Sequence, residues 1–537
     1  MGLARPSSAL ALLVLAALAE AQSNQDPAID VRLSAIRVIT ALARQNGVNG
    51  IACETTVCNE GTAIVPWLQP MNTSHPTIAF LIAAERDGRL VQISNHSYLK
   101  HGFFAANAGG CGTCIQPGQN ALGLGCSDTY DVSNNGDNFF LGPPEEVDPW
   151  LGNWSAQCSL FDHGEPPVAA PADCDSVRSL TRTQSNALGP IHSRVQVRDE
   201  DLDLSGPFYM QAQYNVRGMP DAARDDSLGS RRFTATFAGT RWTLTATGGL
   251  LSGTILQRWP DASIGSSTNG NDDGRVYVAV KVTGPVAGFY HYEYALHNRD
   301  NVRGIGALRI PVCSGARVRA IGFRDLDQDA TNDWSARVAG GELQFAGAGA
   351  PLVWNTLTNF WFDSDAAPLD AALVLDEAAP GAGLPQFGVA SRAPLALYNA
   401  YLGPGCAQGT PPTLYATGAP ARATLGNATF ALASENNAPF QPSVLLLGTQ
   451  PGSHSVGGCT LWMGASTVRQ RAVSVATSDA QGLATHAGPI PNDLALEGQD
   501  FRLQTFARDP GHGVLLGDYE LSDGLLVRVG DSISDCP

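Results

Sequence analysis

Seven of the eleven cysteines crowd into residues 53–174, and their spacing admits the most varied chemistry in the chain. Cys111-Gly112-Thr113-Cys114 is a CxxC pair, with Cys126 close behind it and His101 just ahead. Together these four side chains supply the soft and imidazole donors that zinc takes in closed sites, although the spacing matches no standard pair of zinc knuckles. Cys126 also lies in a glycine-rich turn, Gly125-Cys126-Ser127-Asp128, where a thiol with His101 as base follows the Cys–His logic of acyl transfer. An oxidising compartment turns the same residues into disulfides, and that reading is favoured. Cys158 with Cys174 and Cys406 with Cys459 are the preferred long pairs, and Cys53 with Cys58 is a short one. An odd count leaves at least one thiol without a partner in the chain; Cys313 and Cys536 are the most isolated in sequence.

Carboxylates form the second group. Asp325, Asp327 and Asp329 alternate and are followed by Asp333, a pattern that can converge on Ca2+, which takes about six to eight oxygens. Ala330 and Ala336 stand where a calcium loop of the EF-hand type needs glycine and glutamate, so the alternative is a solvated acidic turn. Glu145, Glu146 and Asp148 lie near Trp150 and Trp154, a combination that suits glycoside hydrolysis only if a second carboxylate faces the first across the scissile bond. On Phe289 to His297, strand alternation puts His291, Glu293 and His297 on one face and Tyr290, Tyr292, Tyr294 and Leu296 on the other. The His–Glu pair can act as base and orienter, but one strand completes no site, and packing with a solvated face explains the pattern equally. The chain holds no GxSxG elbow, no HExxH helix and no phosphate-cradling glycine loop.

The elements that must carry these residues read as strands. Val276, Val278, Val280 and Val282 alternate with polar neighbours, and after Gly284-Pro285 the Phe289–His297 segment completes a predicted hairpin. Asp30 to Arg44 is read as a strand from its Val, Ile and Thr content. Residues 1–21 read as a signal peptide ending in Ala19-Glu20-Ala21, and no later apolar stretch reaches spanning length. The predicted division is a Cys-rich, mostly β domain at 22–185, a β-sandwich at 186–403 and a small β-sandwich module at 404–537 with about seven strands. Acidic residues exceed basic ones by 50 to 33, giving a net charge of −17, which argues against nucleic acid or anionic lipid as main partner. Only Lys100 and Lys281 are lysines.

Thr55-Thr56-Val57-Cys58-Asn59-Glu60-Gly61, Ser97 to Phe103, Leu124 to Tyr130, Tyr292 to Asn298 and Trp354 to Asp363 resemble an uncharacterised family of exported bacterial proteins of planctomycete type. Gly403-Pro404-Gly405-Cys406, Gly457-Gly458-Cys459-Thr460 and Gly524 to Val529 resemble a module common at the ends of secreted planctomycete proteins. The resemblance implies an address outside the cell and an architecture, with no reaction attached; Arg324 and the acidic run after it depart from the family pattern, which has histidines there.

The sequence therefore predicts an all-β protein of two or three sandwich-like domains in tandem, secreted, extracellular or at the cell surface, with the periplasm as the other address. Its expected role is structural or binding, with surface polysaccharide or envelope proteins as partners and Ca2+ as the only candidate cofactor. A polysaccharide-acting hydrolase using Glu145 or Glu293 is the alternative.

Overall fold

The computed structural model describes residues 25–68, 71–163, 174–204, 206–270, 274–327, 329–347, 349–465, 470–531 and 533. The expected signal peptide and Cys536 lie outside them. Over the described residues the protein is all-β, with short helical turns.

The strand Thr77–Arg86 organises the first half. Its sequence is apolar without alternation, Thr-Ile-Ala-Phe-Leu-Ile-Ala-Ala, because both of its faces are buried. Ile78, Phe80, Ile82 and Ala84 enter a core shared with Val31, Leu33, Ile36, Ile39 and Val57. Those five come from a four-stranded sheet centred on Val48–Asn59, flanked by Val31–Gln45, Ser127–Tyr130 and Val195–Arg198. Leu81 and Ala83 point the other way and pack with Leu90, Tyr209, Trp259, Tyr277, Ala279, Ala295 and Leu357. Each large side chain removed from water here contributes about 1.5–3 kcal/mol.

Tyr277, Ala279, Ala295 and Leu357 belong to the next layer, the sheet of Ser263–Thr268, Arg275–Val286, Phe289–Asn298, Thr356–Ser364 and Val318–Arg324. Its opposite face carries Val276, Val278, Val280, Tyr292, Tyr294, Phe360 and Phe362 into a sandwich core against Leu308, Leu343, Phe345, Leu373 and Val389 of a second five-stranded sheet. Four sheets are thus stacked on three apolar seams. The predicted hairpin pairs Val276 with Asn298 through Thr283 with His291, and its register shifts at Gly284-Pro285.

Strand pairing crosses the division expected near 185. Phe208–Asn215, Leu228–Phe237 and Trp242–Ser252 extend the sheet of Thr77–Arg86, so the first body runs past residue 250. The proline- and alanine-rich stretch at 166–173 that suggested the break lies outside the described residues. The last module begins earlier than 404, since Asn399–Gly403 pairs with Gly524–Arg528. It joins the sandwich through Arg317, which lies 4.7 Å from the ring centres of both Phe289 and Tyr401 and donates to Asp365.

Disulfides join Cys58 to Cys111, Cys114 to Cys126, Cys158 to Cys174 and Cys406 to Cys459. Cys313 is disulfide-bonded too, so it is not a leftover thiol. Among the described residues the unpaired one is Cys53, buried in the first core. The expected Cys53–Cys58 bridge fails for a geometric reason. Both residues lie on the strand Val48–Asn59, where five residues span roughly 16 Å and end on opposite faces, well beyond disulfide reach. Burial pushes the Cys53 thiol far above its ordinary pKa. Non-reducing peptide mapping should therefore recover the four named bridges, with Cys53 alkylated only after unfolding; rapid labelling of Cys53 in the native protein would contradict its placement.

Buried charge ties the first body to the sandwich. Arg299, fully buried, donates to Asp221 and Asp225 and lies 3.0 Å from Asp300. Arg224, from the first body, donates to the same Asp300 at 3.0 Å, and Arg275 pairs with Asp221. Removing Arg299 leaves Asp300 charged and out of water, so Arg299→Leu should lower the free energy of unfolding by about 3–5 kcal/mol. Urea denaturation measures this, and a loss below about 1 kcal/mol would mean that the network is not a structural tie.

Candidate functional site

A cleft of about 740 Å³ opens between the first body and the sandwich. Arg89, Gln92, Asn95, Arg198 and Asp201 line one wall; Phe323, Arg324, Asp325, Asp327, Asp333 and Trp361 line the other.

Local sequence explains why these residues meet. Asp87-Gly88 turns the chain between Thr77–Arg86 and Arg89–Gln92, with φ of 50° and 80°, the two-residue turn that such a pair favours. This sets Arg89 at the mouth. Its guanidinium stacks 3.9 Å from the Trp361 ring centre, and its Nε donates to Glu293 at 2.6 Å. Trp361 also lies against Gly322, its cross-strand partner, where a Cβ would fall 2.4 Å from the indole. The strand Val318–Arg324 bulges between Arg319 and Gly322, which bends its end and directs Phe323 to Asp327 into the cleft.

Glu293 sits behind this wall, 4 % exposed. Its Oε2 receives Arg89 and lies 3.2 Å from His291 Nε2, while Oε1 has no hydrogen-bond partner. His291 Nδ1 lies 2.8 Å from Asp363, its cross-strand partner, and Asp363 lies 3.6 Å from Arg319. The hydrogen bond with Glu293 first, and Asp363 with it, raises the His291 pKa against the opposing effect of burial. The face predicted to be solvated is therefore partly an interface. His297, on the same face, is fully buried, 2.8 Å from Thr254 and 3.3 Å from Gln211.

Other sequence-derived candidates fall elsewhere. Glu145 has a side chain 73 % exposed on a short turn and does not line the cleft. Trp154 is buried and donates to Glu146, and Trp150 carries the Arg224 guanidinium, so neither is a free platform for a sugar ring. Cys126 is bonded to Cys114 and Cys111 to Cys58, which removes both the Cys126–His101 acyl-transfer pair and the CxxC metal or redox reading. His101 is buried, with neither ring nitrogen hydrogen-bonded.

Asp325, Asp327 and Asp333 do line the cleft, but Asp327 and Asp329 spend carboxylate oxygens on their own turn, on the amides of Asp329 and Thr331, the Thr331 hydroxyl and Asn332. Among the described residues, no three or more His, Cys, Asp or Glu side chains converge as a metal group. Burial first, then Asp327 and Asp333, raises the Asp325 pKa; burial raises that of Asp201, which lies 3.8 Å from Arg324. Arg89, Asp201 and Trp361 were not singled out from the sequence; the Asp87-Gly88 turn was the available signal for the first.

No family model matches the chain, and no curated protein does. Among solved structures, BcpA, the major pilin subunit of Bacillus cereus, aligns at 9% identity over 62% of this chain and 84% of that one, with a TM-score of 0.18. A tetra-tandem repeat from the extending region of a large adhesion protein aligns at 8% over 94% and 92%, with a TM-score of 0.13. Salmonella alpha-2-macroglobulin aligns at 10% over 95% and 33%, with a TM-score of 0.15. At these scores the likenesses carry no functional argument.

Because the folded-state pKa of His291 is raised, its protonation stabilises the fold below its ordinary value near 6.5, and that contribution is lost as pH rises through the raised value. An NMR titration should find His291 titrating above an ordinary histidine, and Glu293→Gln should bring it down. An unshifted titration in both proteins would remove the Glu293–His291 link.

Proposed function

We propose that the protein is a secreted binding protein of the cell surface or surrounding matrix, and that the cleft between its first body and its sandwich holds a hydroxyl-rich polymer such as surface polysaccharide. The cleft carries this reading. Its walls come from two bodies held together by an apolar seam and buried ion pairs, so it is preformed. Its lining alternates guanidinium, carboxylate and amide groups beside the edge of Trp361, groups that exchange hydrogen bonds with sugar hydroxyls. The four described disulfides support an oxidising address.

One observation favours a hydrolase as the second reading. Asp201 and Asp325 stand on opposite walls, and burial raises the pKa of each, as the general acid of a carboxyl pair requires. Glu293 is unsuited to that role, being buried and held by Arg89.

Calorimetry and product analysis on a panel of polysaccharides separate the two. Binding without turnover, weakened at least about tenfold by Arg198→Ala with Asp327→Asn, is the expected result. Turnover abolished by Asp201→Asn or Asp325→Asn would establish the hydrolase instead, and binding unchanged in the double variant would place the ligand outside the cleft.

A further inference from the structure

Away from the cleft, in the first body, several cationic side chains gather on a small aromatic cluster. Lys100 is 2 % exposed, with its Nζ 5.0 Å from the Phe140 ring centre. The Arg178 guanidinium lies 5.1 Å from the same ring, 4.5 Å from Phe139 and 4.4 Å from Phe161. Both Nη atoms of Arg178 are buried without a hydrogen-bond partner, and the Lys100 side chain makes no ion pair or hydrogen bond among the described residues. Arg182, 4.6 Å from Phe139, is paired with Asp137 at 2.9 Å.

Among the described residues, the carboxylates near Lys100 and Arg178 are committed elsewhere. Asp137 holds Arg182 and the Phe139 amide. Asp131 caps the turn at Val132–Asn135 through the amides of Ser133 and Asn134. Glu146 receives the Trp154 indole and the Leu160 amide. The two neighbouring histidines are neutral: His75 faces the Leu68 carbonyl and accepts from the Gly102 amide, and burial lowers both His75 and His101. Among the described residues, the buried Lys100 and the partly buried Arg178 thus have no carboxylate paired directly with them, and aromatic faces offset only part of that cost.

We propose that Lys100 and Arg178 form a second ligand site, one for a tetrahedral oxyanion, phosphate or sulfate, either free or as an ester on a polymer. The planar fork of Arg178 takes two oxygens and the Lys100 ammonium a third, while Phe140 and Phe161 form the apolar floor. Arg178 and Phe139 are only partly buried, so the approach is from their side. Burial, with repulsion from Arg178 and Arg182 opposed by Asp137 and Asp131, lowers Lys100 to about 8, and burial lowers Arg178 to about 10. The site is therefore charged for binding below about pH 8 and loses the Lys100 contribution above it. Without an anion the sign is reversed: the unfolded chain holds more protons than the folded one between about 8 and 10.5, so stability rises with pH across that window.

The test is calorimetric titration of the full protein with inorganic sulfate and inorganic phosphate at constant ionic strength, at pH 7 and pH 9.5, with a sulfated oligosaccharide as a further arm. Saturable binding at pH 7, weakened at pH 9.5 and weakened at least about tenfold in Arg178→Met and in Lys100→Met, is expected. Tighter binding of the sulfated oligosaccharide than of inorganic sulfate would assign the ester; equal binding would assign the free ion. No saturable binding to the wild-type protein, or equal affinity at the two pH values, would overturn the proposal whether or not the variants fold. So would affinity unchanged in either variant.

Discussion

The arrangement of the first two bodies rests on one strand that has no solvent face. Thr77–Arg86 must be covered on both sides, and no single sandwich does that. The sheet packed on its second face therefore becomes part of the same folded unit, and the boundary between domains turns into an apolar seam. Polar groups that cross this seam are satisfied across it: Asn355 and Asn359 donate to the carbonyls of Phe80 and Leu90, and Gln92 receives the Leu357 amide. A register slip of one residue would leave all three unpaired.

Charge completes what the apolar seam begins. Arg299 is surrounded by carboxylates from both bodies, and the same side chains hold the chain at the edge of the interface. At the other edge the bodies diverge and the cleft forms, with Arg89, Glu293 and His291 continuing the polar seam into its wall. Cleft and ion network are thus two edges of one interface.

Legibility from the sequence followed the range of the interaction. The hairpin at Val276 to His297 was readable because its pattern is local, two alternating runs around Gly284-Pro285. The long disulfides Cys158–Cys174 and Cys406–Cys459 followed from compartment and spacing. The face of His291, Glu293 and His297 was assigned correctly by alternation, but what covers it was not, since the cover comes from Arg89 and Gln211, far away in the chain. Cys53 was misread for the converse reason: nearness in sequence counts for nothing along an extended strand. Near residue 185, composition marks a loop without revealing that strands beyond it return to the sheet of Thr77–Arg86. Asp201 and Trp361 had no local signal; only the meeting of two bodies makes them neighbours.

The joint to the last module is built differently, and this gives the molecule a mechanical grading. The first two bodies must be sheared across a wide apolar seam and a buried ion network before they part. The module is joined by Arg317 between two rings and beside Asp523, by a small buried cluster of Cys313, Ala366 and Leu397 with Ala400 against it, and by Gly288 close against Tyr415. A load on the module therefore meets the smaller contact first, and the wide seam that borders the cleft only after it.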